Sequence, residues 1–131
     1  MVNSFIMDTY GWIEYFRGTK QGLTVKKIVD EKKNKIITID SSLAEIKLHC
    51  LRTGYDFNYA MNLIKANSII FPVMIDTWLR ASAIKFEMMK KRQDFGLMDA
   101  ILLAKQYEIG SKLVTGDPHF KGLKNIIFLE D

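Results

Sequence analysis

Acidic residues recur just after the apolar runs of this sequence, where carboxylates can act on a ligand. Asp8 closes SFIM and is followed by Thr9. Asp40 closes KIITI, and Glu45 follows five residues later. Asp117 follows LVTG, with Thr115 two residues before it, and Asp99 lies in the first turn of the apolar stretch that opens at Leu97. Each acid has an ordinary structural use. Ser42-Leu-Ala-Glu45 matches a capping box, Asp117-Pro118 matches an N-cap followed by proline, Asp99 suits a helix dipole, and Asp8 can cap a helix that starts at Thr9. Converging on one place, they imply something more. Clustered carboxylates repel and raise one another's pKa, and a divalent cation removes that cost. Oxygen donors with no cysteine nearby suit magnesium or manganese.

Converging acids need a scaffold. Five apolar runs read as strands: Ser4–Asp8, Lys35–Ile39, Ser68–Phe71, Lys112–Val114 and Asn125–Leu129. They are rich in Ile and Val and continuous instead of alternating, as strands buried on both faces of a parallel sheet are. Helices are expected between them, over Thr9–Arg17, Leu23–Lys33, Ser42–Leu51, Phe57–Ala66, Val73–Arg92 and Leu97–Ile109. The fifth carries Ile75, Trp78, Leu79, Ser82, Phe86 and Met89 as a stripe at helical spacing. The sixth is apolar nearly all round and reads as a buried helix closed by Gly110. Alternating strands and helices predict right-handed crossovers and a three-layer α/β/α sandwich around a mainly parallel five-stranded sheet, with residues 1–131 as one domain. In such a sheet the ligand site lies beyond the carboxyl ends of the strands, where Asp8, Asp40 and Asp117 stand.

Composition narrows the function classes. With 131 residues, 48% apolar and 26% charged, the chain is long enough to bury a real core. The longest apolar run, Ile69 to Ile75, is broken by Pro72 and is far short of the roughly 20 residues of a membrane helix. MVNSFIMD is not read as a signal peptide, and Cys50 has no second cysteine to pair with, so a cytosolic protein is expected. The net charge of +4 sits in residues 20–35, where six lysines face two acids; the rest of the chain balances. That stretch either attracts phosphate or is a solvated helix face. No GxGxxG or GxxxxGK[ST] follows the first strand, and no GxSxG elbow exists. His49 and His119 read as structural residues.

The same residues resemble the PIN-domain ribonucleases, most closely the VapC toxins of prokaryotic toxin–antitoxin pairs. FIMDTYGWIEYF is similar to the first family motif, SSLAEIKLHC to the second, DFGLMDAILLA to the third and LVTGDPHFKGL to the fourth, in the family's order over essentially the whole chain. Tyr10-Gly11-Trp12 replaces the small residues common after the first Asp-Thr, and Gly116 stands where a basic residue is frequent. The resemblance implies a metal-dependent endoribonuclease. Asp8, Glu45, Asp99 and Asp117 would hold magnesium or manganese, Thr9 or Thr115 would orient a carboxylate or a water, and basic residues would hold the RNA backbone. It also implies a homodimer silenced by a cognate antitoxin, with Trp12, Tyr15 and Phe16 as groove-lining candidates. A housekeeping nuclease in RNA processing or decay and a non-catalytic binding module are the alternatives.

Overall fold

Ile- and Val-rich runs too short for helices must pair their backbones, and in the computed structural model, which describes residues 3–130, they do. The strands are β1 (Asn3–Met7), β2 (Asn34–Ile39), β3 (Ile69–Phe71), β4 (Lys112–Thr115) and β5 (Ile126–Phe128). All neighbours run parallel, in the order β3-β2-β1-β4-β5. Helices α1 (Thr9–Arg17), α2 (Lys20–Asp30), α3 (Asp40–Thr53) and α4 (Phe57–Asn67) come before β3, and α5 (Ile75–Met88) and α6 (Leu97–Ile109) before β4. A short 3-10 turn, Pro118–Phe120, follows β4.

The period of two along a strand creates the layers. Phe5 and Met7 of β1 enter one core with Trp12, Val25, Ile46, Cys50, Ala60 and Ile64 from α1 to α4. Ile6, between them, enters the other with Ala81 of α5 and Ala100 to Ala104 of α6. Leu113 and Val114 of β4 divide the same way. Burying each such Ile or Leu stabilises the fold by about 2 kcal/mol. α6 is buried continuously from Ala100 to Gln106, and Gly110 ends it at φ +63° with its N–H on the Gln106 carbonyl. No helix among the described residues is long and apolar enough to cross a membrane.

Three local expectations are corrected. α2 begins at Lys20, capped by the Thr19 side chain, and ends at Asp30, so Lys32 and Lys33 lie outside the helix. The reason is tertiary: α2 folds back on α1 so closely that a Cβ on Gly22 would sit 2.0 Å from the Glu14 carbonyl oxygen. α3 begins at Asp40, directly off β2, so Ser42 lies inside the helix and the Ser42–Glu45 capping box does not form. The stripe of α5 faces outward. Small Thr77 and Ala81 are buried against the core with half-buried Ile84 and Met88, because they let α5 approach α6, and Thr77 donates to Glu108 of α6 at 2.8 Å.

Candidate metal centre at the carboxyl edge of the sheet

Every strand points its carboxyl end to the same rim, so residues just past β1 and β4 meet there. Asp8, Thr9, Glu45, Asp99 and Asp117 line one cleft of about 230 Å³ with Tyr10, Ile13, Leu102 and Phe120. Asp40 does not join them: its carboxylate accepts from the Val73 N–H at 3.1 Å.

Asp8 is 3% exposed, caps α1 and accepts from the Gly11 N–H at 2.8 Å. Burial pushes its pKa up to about 7, and the charges of Asp117 and Glu45 add to the rise, while hydrogen bonds from the Thr115 hydroxyl and the Gly11 N–H oppose it. The same Thr115 hydroxyl oxygen accepts from the Asp117 N–H at 3.0 Å, so it links β1 to the turn after β4. Glu45, released from capping duty, accepts from the Thr9 hydroxyl at 2.9 Å. Its pKa is raised by burial first, and further by the Asp99 and Asp117 charges. Asp99 accepts from the Gly96 N–H at 3.0 Å, holding its carboxylate at the start of α6. Asp117 caps the 3-10 turn, accepting from the His119 N–H at 2.9 Å. The structural uses foreseen for Asp8, Asp99 and Asp117 are therefore real, and they aim the carboxylates instead of consuming them.

The residues past β4 also deliver a group that the sequence reading set aside. His119 Nδ1 lies 2.8 Å from Asp99 Oδ2 and 3.5 Å from Asp117 Oδ1, and Nε2 lies 2.9 Å from Asp94 Oδ2. The imidazole pKa is raised, chiefly by the hydrogen bond to Asp94, then by Asp99 and the charges of Asp117 and Asp99, against burial. Asp99, Asp117 and His119 place one ligand atom each within 4.8 Å of one another, a spacing that could hold a metal ion. The usable signal was the Asp-Pro step, because a capped 3-10 turn returns the residue two positions on toward the cap. His49 stays away from this cleft; it is half-buried on α3, and its carbonyl accepts from the Thr53 hydroxyl.

Other expectations are redirected. Trp12 is fully buried, donates from Nε1 to Thr38 at 3.0 Å and stacks on Phe16, so it is a core anchor and not a groove residue. Tyr15 and Phe16 are half-buried and packed against the same core. Lys32, Lys33 and Lys35 lie at the amino end of β2, around a surface pocket with Asn67 and Ser68. That is the opposite edge of the sheet, about 17 Å of strand from the carboxylates. Lys26 is paired with Asp30. The α5–α6 connection carries Lys90, Lys91 and Arg92 in succession, and Lys90 is paired with Glu87 and lies over the Phe86 ring. Arg92 donates to the carbonyls of His119 and Lys121, binding that connection to the turn. The two departures from the family pattern prove coupled: a Cβ on Gly116 would lie 2.2 Å from Tyr10 Cε1, so the Tyr10 ring occupies the space of a side chain at 116.

Solved structures share this fold. A toxin–antitoxin complex from Klebsiella pneumoniae aligns with a TM-score of 0.74 at 19% identity, covering 96% of this chain and 98% of that one. VapBC2 from Rickettsia felis, bound to a DNA fragment from its promoter, aligns at 0.72 and 14%, covering 95% and 96%. VapC20 of Mycobacterium tuberculosis, a Sarcin-Ricin loop cleaving toxin, aligns at 0.72 and 19%, covering 92% and 95%. No protein-family model and no curated protein matches the sequence. At these identities the likeness is one of architecture: the chain has a VapC-like PIN-domain fold.

Proposed function

We propose that this chain is a metal-dependent endoribonuclease, the toxin of a toxin–antitoxin pair, acting in the cytoplasm as a single catalytic domain. The observation that carries the reading is the convergence of Asp8, Glu45, Asp99 and Asp117 on one cleft at the carboxyl edge of a parallel sheet. The fold likeness to toxins of such pairs, one of them described as cleaving the Sarcin-Ricin loop, supports it.

The site fits a divalent metal. A buried Asp8 held near pKa 7 by burial and two neighbouring acids is a carboxylate that a cation would return to its charged form. The four acids would hold magnesium or manganese, with oxygen donors of the hardness those ions take. When bound, the ion supplies a water acidic enough to attack a phosphodiester near neutral pH and offsets charge on the phosphoryl oxygens. The chain's own groups do the positioning: Thr115 aims Asp8, Thr9 aims Glu45, and the Gly96 N–H fixes Asp99. Basic residues of the chain would draw the RNA backbone through salt-dependent contacts. The test is cleavage of total RNA by the purified protein. EDTA stops it, added magnesium or manganese restores it, and cleavage that continues unchanged in chelator removes the proposal.

A second copy of the chain is the expected partner of α5, and a cognate antitoxin covers the cleft. α5 turns Ile75, Trp78, Leu79, Phe86 and Met89 to solvent, with Leu79 67% exposed. Four of them are spaced evenly about Ser82: Ile75 and Met89, the latter just past the end of α5, stand seven residues either side, and Trp78 and Phe86 four. Two copies of α5 crossing antiparallel at small Ser82 would match Ile75 to Met89 and Trp78 to Phe86, the self-complementarity of a two-fold interface. Leu79→Glu converts a dimer to a monomer in sedimentation analysis with unchanged circular dichroism. A parent protein that stays monomeric at tens of micromolar removes the dimer.

A further inference from the structure

Both ring nitrogens of His119 face carboxylate oxygens, Nε2 toward Asp94 and Nδ1 toward Asp99 and Asp117. A neutral imidazole has one N–H and one lone pair. Asp94 is exposed on the α5–α6 connection, outside the cleft, and accepts the N–H from Nε2. In that tautomer the Nδ1 lone pair points at two carboxylates, where a bound divalent cation would take the place of the proton that otherwise holds Nδ1 to Asp99. The residue is held there: its backbone carbonyl is bound by Arg92, and its ring centroid lies 6.3 Å from that of buried Phe95, the two rings tilted by 54°.

We infer that His119 supplies a nitrogen ligand, through Nδ1, to a divalent metal shared with Asp99 and Asp117, and that Asp94 sets the tautomer that allows it. The inference rests on the metal-nuclease reading above and alters the donor set expected there, which was oxygen alone. The geometry fits: two atoms bound about 2.1 Å from one ion at adjacent octahedral positions stand about 3 Å apart, and Nδ1 stands 2.8 Å and 3.5 Å from the two carboxylate oxygens. A carboxylate behind a metal-binding histidine is the usual device for fixing the ring. An imidazole among carboxylates also moves the preference of the site away from magnesium and toward transition ions.

The test is pulsed electron paramagnetic resonance of Mn²⁺ bound to the metal-free full chain. The parent spectrum shows nitrogen coupling from a directly bound imidazole. His119→Gln loses the coupling although His49, the other histidine, remains. Asp94→Asn keeps the coupling but binds Mn²⁺ roughly tenfold more weakly. Bound Mn²⁺ without nitrogen coupling in the parent overturns the inference and leaves the nuclease reading standing, because chelator-sensitive RNA cleavage is measured separately. The parent spectrum decides alone, so a variant that fails to fold does not weaken the test.

Discussion

Asp99→Asn abolishes RNA cleavage and leaves the protein folded. Asparagine keeps an oxygen for the Gly96 N–H, which Asp99 accepts at 3.0 Å, so the start of α6 survives. What disappears is a negative charge among Glu45, Asp117 and His119, where a metal would sit. A loss of roughly a thousandfold or more in rate, about 4 kcal/mol of barrier, is the expected size for removing such a ligand charge. Single-turnover cleavage of an RNA substrate at saturating Mn²⁺, alongside circular dichroism, measures both halves. A folded variant with full activity sinks the assignment of Asp99.

Asp8→Asn stabilises the metal-free protein above neutral pH while inactivating it. Burial holds the Asp8 carboxyl at a pKa of about 7 in the fold against an ordinary value of 3.8. The native state therefore keeps a proton that the unfolded chain has already released. Stability is fullest below about pH 4, falls as pH rises, and levels above about pH 7 at a deficit of at most about 4 kcal/mol. Asparagine removes that deficit and still offers an acceptor to the Gly11 N–H. At pH 8 without metal the variant should melt roughly 10 °C higher than the parent. Adding Mn²⁺ should raise the melting temperature of the parent and move the variant far less. Equal melting temperatures for the two metal-free proteins at pH 8 would mean that Asp8 carries no such strain.

Much of this was legible because it is local. The sequence ranges read for α1 and α6 agree with the structure at both ends, since N-cap chemistry at Asp8 and the apolar periodicity up to Gly110 operate within a turn or two. Ile- and Val-rich runs marked the strands, and the acids after the first, second and fourth of them marked the carboxyl edge. Elsewhere local patterns competed. Ser42 and Glu45 have the spacing of a capping box, but β2 runs into α3 without a loop, which starts the helix two residues early and leaves Glu45 to Thr9. The lysines of residues 20–35 read as one basic face, yet the end of α2 at Asp30 carries three of them to the far edge of the sheet.

The sequence by itself determined the alternation of strands and helices and the acids at the strand ends. Backbone propensity, capping and a period of two or 3.6 depend only on neighbours along the chain. The tertiary structure decided which faces and loops meet. Apolar periodicity on α5 cannot say which of its two faces is buried; the small side chains of Thr77 and Ala81 win because they permit close approach to α6. Tyr10 and Gly116 are 106 residues apart in sequence and share one space. Asp94 comes from the α5–α6 connection, Asp99 from the first turn of α6 and His119 from the turn after β4, and Arg92 ties that connection to that turn, which brings the histidine to face the carboxylates.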